Sequence, residues 1–160
     1  MSTIDAALPQ APRIDGPAPH LLVVRAPYYA AVVDGLRDGA ARILDAAGAR
    51  FDVLDVAGAL ELAGAVRLAV RGRRRYDGYV ALGCVVKGET DHYEFVCREA
   101  MAGLTAVVLQ FALCLGNGLL TVNALAQAEE RSGRDGHNKG AEAAAAALRQ
   151  IAAARWLEVP

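Results

Sequence analysis

Gly78-Tyr79-Val80-Ala81-Leu82-Gly83-Cys84-Val85-Val86 is the most apolar run of the chain, and it leads straight into Lys87-Gly88-Glu89-Thr90-Asp91-His92-Tyr93. A run of this length with no charge, ending in a polar turn, reads as a strand covered on both faces. Such a strand belongs in the middle of a parallel sheet, with helices above and below it.

Both flanks of the run support that reading. Towards the N-terminus, Leu60 to Arg71 has helical spacing, and Arg71 to Arg75 puts positive charge at its C-terminal end, where the helix dipole favours it. Arg50 to Val56 alternates Phe51, Val53, Leu54 and Val56 with acids, as a second strand does. Val32, Val33, Leu36, Ile43 and Leu44 line one face of a helix from Val32 to Ala47, closed by Gly48. His20 to Val24 is a further short buried strand, and Met1 to Pro19, rich in proline and small residues, is expected to be a flexible arm. Towards the C-terminus, Tyr93 to Phe111 reads as a long helix, Leu119 to Val122 as a strand, and Ala124 to Arg131 as a helix. A last helix is expected from Lys139 to Trp156, strengthened by the alanine run Ala143 to Ala147. Strands alternating with helices predict an α/β chain: a three-layer α-β-α sandwich with a mostly parallel central sheet, one domain over residues 20–160 after an arm at 1–19.

Composition narrows the function classes. The chain has 160 residues, 54% hydrophobic and 22% charged, with 17 Lys plus Arg against 18 Asp plus Glu for a formal charge of −1. No basic excess favours nucleic acid or an anionic membrane. Three cysteines, Cys84, Cys97 and Cys114, are odd in number and form no CxxC pair, so buried reduced thiols are expected rather than a disulfide framework or zinc ribbon. The first residues do not resemble a signal peptide, and no apolar run approaches the ~20 residues of a membrane helix. A cytoplasmic protein is expected.

Ligands of such sheets bind beyond the carboxyl ends of the strands. After the first strand come Tyr28 and Tyr29, two adjacent aromatics able to stack on a planar heterocycle or to pack on the helix below. After the second comes Ala57-Gly58-Ala59-Leu60-Glu61, where small residues permit close backbone approach. Glu61 there either accepts hydrogen bonds from a polyol or complements a helix N-terminus. After the central strand, Gly88 allows a tight turn, and the amides and Thr90 hydroxyl at a helix start can cradle a phosphate. His92 stands beside them, and histidine is the side chain whose ordinary titration lies nearest neutral pH. The structural alternative is a helix start capped by Thr90 or Asp91 with His92 merely exposed. Arg131 and Lys139 are cations for a phosphate, or solvated surface. A Walker-type phosphate loop and a dinucleotide-binding GxGxxG are both absent.

The joint order of these segments resembles the lumazine synthase (6,7-dimethyl-8-ribityllumazine synthase) family from about Leu21 to Ile151. The most specific parts are GET-x-H-Y at 88–93 and NKG-x-E at 138–142. The resemblance implies a flavodoxin-like sheet and a transferase of riboflavin biosynthesis. It would condense 5-amino-6-(D-ribitylamino)uracil with 3,4-dihydroxy-2-butanone 4-phosphate, giving 6,7-dimethyl-8-ribityllumazine, phosphate and water, with neither metal nor organic cofactor. Carried over by position, Tyr28 would stack on the pyrimidine, the Ala59 backbone and Glu61, with Leu60, would hold the ribityl chain, and Val85, Val86 and Lys87 would line the heterocycle. Glu89, Thr90 and Arg131 would bind the phosphate and His92 would shuttle protons. Asn117 and Lys139 come from segments that family members place at the site between neighbouring subunits.

Three departures stand out. Family members often read R-F-N at Pro27-Tyr28-Tyr29, P-G-A-F-E at Ala57-Gly58-Ala59-Leu60-Glu61, and F-G-V at Asn117-Gly118-Leu119. Tyrosine keeps the stacking face, whereas Asn117 removes an aromatic wall. The resemblance implies a homopentamer, with decamers and sixty-subunit shells as further assemblies, and the loop Gly133 to Asn138 has a length compatible with shell formation. The alternatives are a catalytically weak paralogue that binds flavin or lumazine, and a shell-forming protein without turnover. A flavodoxin-type electron carrier is disfavoured by the missing phosphate loop after the first strand.

Overall fold

In the computed structural model, residues 7–134 and 137–159 are described. Four strands, β1 (His20–Ala26), β2 (Arg50–Asp55), β3 (Gly78–Val86) and β4 (Leu115–Val122), form one sheet in the order β2-β1-β3-β4. All pairings among the described strands are parallel, as the alternation of strands and helices predicts. The helices are α1 (Ala30–Ala46), α2 (Glu61–Arg71), α3 (His92–Phe111), α4 (Leu125–Ser132) and α5 (Lys139–Trp156). A single 3-10 turn, Pro27–Tyr29, joins β1 to α1. The strand order is that of doubly wound sheets whose ligand crevice opens where the connections diverge, here above β1 and β3.

Alternation along the strands distributes two cores. Leu21, Val23, Val80, Leu82, Leu120 and Val122 face α1, α4 and α5. Leu22, Val24, Tyr79, Ala81, Leu115 and Leu119 face α2 and α3. β3 is buried from Gly78 to Cys84, as its composition requires. The helix before β2 ends as expected: Gly48 adopts φ +67°, Ala49 N donates to Leu44 O at 2.9 Å and Gly48 N to Asp45 O at 2.9 Å, a Schellman closure.

β4 starts four residues before the expected Leu119. Gly116 and Gly118 read as strand breakers in isolation, but here they are what lets α5 lie on the sheet. A Cβ at Gly116 would collide with the Ala143 carbonyl, and one at Gly118 would press on the Ala143 side chain. Asn117 therefore lies inside a strand, not in the loop before one. The free edge of β4 is partly closed by side chains. The Gln150 amide accepts from Leu115 N (3.2 Å) and donates to Leu115 O (2.9 Å), while Asn117 Oδ1 accepts from Leu119 N (3.0 Å).

The NKG triplet docks α5. Asn138 is 2% exposed, and its Nδ2 donates to the carbonyls of Gly35 (2.9 Å), Ser132 (2.9 Å) and Gly133 (3.0 Å). Its Oδ1 accepts from Gly140 N (2.9 Å) and Ala141 N (3.1 Å) as an N-cap. Gly140 brings α5 against the Leu36 carbonyl of α1, where a Cβ would clash. Asn138→Ala leaves three carbonyls and two amides without this partner. We expect it to cost about 2–4 kcal/mol, the sum of a lost cap and buried unpaired groups. Thermal and urea unfolding would measure this; a loss under ~1 kcal/mol would mean that water replaces the side chain.

Residues 7–19 form neither helix nor strand; Ala11 and Ile14 pack on the α1–α5 core, and Arg155 Nη1 donates to Asp15 O at 2.7 Å. Residues 1–6 of the expected arm, and residues 135 and 136 of the loop Gly133 to Asn138, lie outside the described residues. All three cysteines are free; only Cys84 is buried, with Cys97 and Cys114 half-buried. Among the described residues no helix is long and apolar enough to cross a membrane.

Candidate active site

A cleft of about 330 Å³ opens beyond the carboxyl ends of β1, β2 and β3. Three loops wall it: the Pro27–Tyr29 turn, the turn before α2, and the turn between β3 and α3. Of the residues predicted from the sequence, Tyr28, Ala59, Leu60, Glu61, Val85, Val86, Thr90 and His92 line it together. The two readings of the tyrosine pair divide between its members. Tyr29 packs on the core beside α1, whereas Tyr28 stands 78% exposed with its ring edge-on to Tyr29 at 5.2 Å.

Glu61 is the first residue of α2, and no side chain caps that helix. Its carboxylate folds over Gly58, with Oε2 3.1 Å from where a Cβ at 58 would stand. The acid thus complements the dipole and faces the cleft at once, so the two readings of Glu61 are compatible.

At the start of α3, neither Thr90 nor Asp91 caps: Asp91 occupies the N-cap position without a side-chain hydrogen bond. The first amides of a helix have no intrahelical acceptor, which makes this terminus a natural anion cradle beside Thr90 and His92. Cys84, at the cleft floor, is pushed up to about 11 by burial and so stays a neutral thiol near pH 7. Lys87 and Glu89 are exposed and do not line the cleft; Lys87 N donates to Val122 O at 2.9 Å.

The other predicted residues gather elsewhere. Asn117, Arg131 and Lys139 line a second hollow of about 410 Å³ at the open edge of β4, together with Thr121, Glu142 and Ala146. Arg131 Nη1 donates to Gln127 O (2.8 Å) and lies 3.3 Å from Glu130 Oε2, leaving Nε and Nη2 without partners among the described residues. Lys139 Nζ contacts both oxygens of Glu142, at 2.8 and 2.7 Å, so its charge is matched within α5. Asn117 is exposed at the hollow, and its amide is engaged within its own chain: Nδ2 donates to Met101 Sδ at 3.0 Å while Oδ1 accepts from Leu119 N. Single-sequence reasoning missed Glu142 as a hollow residue, although its spacing from Lys139 is that of a helical ion pair. It also missed Tyr93 and Val96, which enter the cleft from the next turn of α3. Among the described residues no group of histidine, cysteine and carboxylate side chains has a metal-binding arrangement.

Residues 18–155 match the family model described as 6,7-dimethyl-8-ribityllumazine synthase. The chain belongs to this family. The 6,7-dimethyl-8-ribityllumazine synthase of Bartonella tribocorum is 45% identical over 134 residues, covering 84% of this chain and 89% of its own. That of Afipia carboxidovorans is 43% identical over 144 residues, 88% of either chain. The protein named 6,7-dimethyl-8-ribityllumazine synthase 1 of Rhizobium meliloti is 43% identical over 136 residues, 82% of this chain and 89% of its own. The lumazine synthase match spans every strand and both hollows, so it covers the whole candidate site and not the fold alone.

Proposed function

We propose that this chain is a 6,7-dimethyl-8-ribityllumazine synthase acting in riboflavin biosynthesis in the cytoplasm. It joins 5-amino-6-(D-ribitylamino)uracil to 3,4-dihydroxy-2-butanone 4-phosphate. The observation that carries the reading is the uncapped start of α3, with Thr90 and His92 facing Tyr28 and Glu61 across one cleft. In this reading Tyr28 offers its exposed ring to the pyrimidine, with Val85 and Val86 against the heterocycle and Lys87 at its rim. The Ala59 backbone, Leu60 and the Glu61 carboxylate hold the ribityl hydroxyls. The phosphate lies on the free amides of α3, with Glu89 and Thr90 around it. The pyrimidine amine attacks the ketone, and loss of water gives an imine. Proton removal from the adjacent carbon expels phosphate, and ring closure with loss of a second water completes the lumazine. His92 carries protons between these steps.

One chain holds the two hollows apart, and the cations lie in the second. We infer a homo-oligomeric ring in which the β4 edge of a neighbour brings Arg131, Asn117 and Lys139 over the first cleft. Residues 20–160 act as one domain, with residues 1–19 as an arm.

The deciding assay is lumazine formation by the purified chain from both substrates. Binding of lumazine or flavin without turnover would instead favour the weak paralogue. Within the assay, Arg131→Ala should raise KM for the butanone phosphate about tenfold or more and KM for the pyrimidine far less, since a charged hydrogen bond contributes roughly 1.5–3 kcal/mol. Equal changes in both constants would remove Arg131 from the phosphate.

A further inference from the structure

Tyr28 lies in the turn after β1, and Ala59, Leu60 and Glu61 span the turn after β2 and the first residue of α2; of these only Ala59 packs on the core. Tyr28 is largely exposed, and Glu61 has no side-chain hydrogen bond among the described residues. Groups displayed in this way are only as well placed as the strand ends beneath them, and misplacement by about 1 Å weakens a site a hundredfold.

One guanidinium joins the strand ends that lead into both segments. Arg25 is the penultimate residue of β1 and is directly paired with Asp55, the last residue of β2. Its Nε donates to Asp55 Oδ1 (2.7 Å) and its Nη2 to Asp55 Oδ2 (2.8 Å), a two-pronged contact; Nη1 donates to Asp34 Oδ1 (2.7 Å) on α1. The Arg25 carbonyl accepts from Val56 N at 2.8 Å. The arginine side chain is 12% exposed, whereas both acids are half exposed. Two residues beyond Arg25 begins the turn carrying Tyr28, and two residues beyond Asp55 begins Ala57-Gly58-Ala59-Leu60-Glu61. A planar fork seated on a carboxylate fixes distance and orientation together, which a lysine ammonium does not.

We propose that Arg25 is a positioning residue for the pyrimidine and ribityl half of the cleft: by gripping Asp55 and Asp34 it sets the spacing between the Tyr28 loop and the Ala57–Glu61 turn. The proposal rests on the proposed function for its substrate and on the contacts alone for the clamp. It reaches no part of the phosphate cradle, which belongs to the turn before α3, and so its loss has a directional signature.

The test uses the full chain with Arg25→Met, which keeps length and removes the fork, Arg25→Lys, and Asp55→Asn as the milder variant should Arg25→Met fold poorly. Expected for Arg25→Met, or for Asp55→Asn to a lesser degree, is an increase of about tenfold in KM for the pyrimidine, with KM for the butanone phosphate within about twofold. Arg25→Lys should restore only part of the difference. In parallel, amide hydrogen exchange should quicken at residues 26–30 and 56–61 and stay unchanged along α5. Equal rises in both KM values, full rescue by lysine, or unchanged exchange in the two loops overturns the proposal. If the wild-type chain makes no lumazine, the proposed function fails, and the exchange measurement alone then upholds or overturns the clamp.

Discussion

His92→Ala is expected to lower turnover about ten- to a thousandfold while leaving the fold and the assembly intact, because general acid–base help contributes typically ~10²–10⁴ and water can replace part of it. The expectation of an intact fold follows from position. His92 opens α3, is exposed, and makes no side-chain hydrogen bond among the described residues, so alanine removes no buried contact and is a better helix former. KM values should move less than turnover, since the imidazole is assigned to proton movement and not to holding either substrate. Steady-state kinetics with circular dichroism of the same preparation would measure both. A fully active variant would put the proton shuttle elsewhere, and an unfolded one would return His92 to a helix-start role.

Much of this fold is readable from single segments because local and tertiary demands coincide in them. Gly78 to Val86 is apolar throughout, since both its faces are covered, and the structure ends β3 at the same residues. Lys139 to Trp156 is helical by propensity and is helical in place. β4 is the instructive exception. Gly116 and Gly118 carry no strand propensity, and the close approach of α5 at Ala143 that both accommodate lies 25 or more residues away in sequence. Likewise the NKG triplet reads as a site motif, yet Asn138 and Gly140 are buried parts of the α1–α5 contact, and only Lys139 faces the hollow.

The site was legible in its order and not in its geometry. Residues after successive strands must converge at one end of a parallel sheet, so Tyr28, Glu61 and His92 could be grouped from topology. Arg131 could not. It follows β4, the edge strand, and α4 turns it to the outer side with Asn117 and Lys139 instead of towards Thr90. Nor was the pairing of Arg25 with Asp55 visible, because parallel register is a long-range property that no local pattern near either residue encodes.

The placement of the predicted residues in two separate hollows, together with the proposed ring, makes a second strong prediction. Variants His92→Ala and Lys139→Ala, each weak alone, should regain activity when dissociated and reassembled together. In the proposed head-to-tail ring each site would take His92 from one subunit and Lys139 from the next. Random mixing in equal amounts then leaves about a quarter of the sites with both groups intact, since each of two independent choices succeeds half the time. Recovery to about a quarter of wild-type activity is therefore expected. Arg131→Ala lies in the same hollow as Lys139→Ala, so it should complement His92→Ala in the same way, whereas Arg131→Ala mixed with Lys139→Ala should recover nothing. The second pair is the stronger control, because recovery there would show that mixing helps for a reason unconnected with shared sites. Each variant reassembled alone must form rings and stay impaired. Mixed rings that demonstrably form yet regain nothing with His92→Ala would mean that the cations act within their own subunit, and the inferred neighbour contribution would fall.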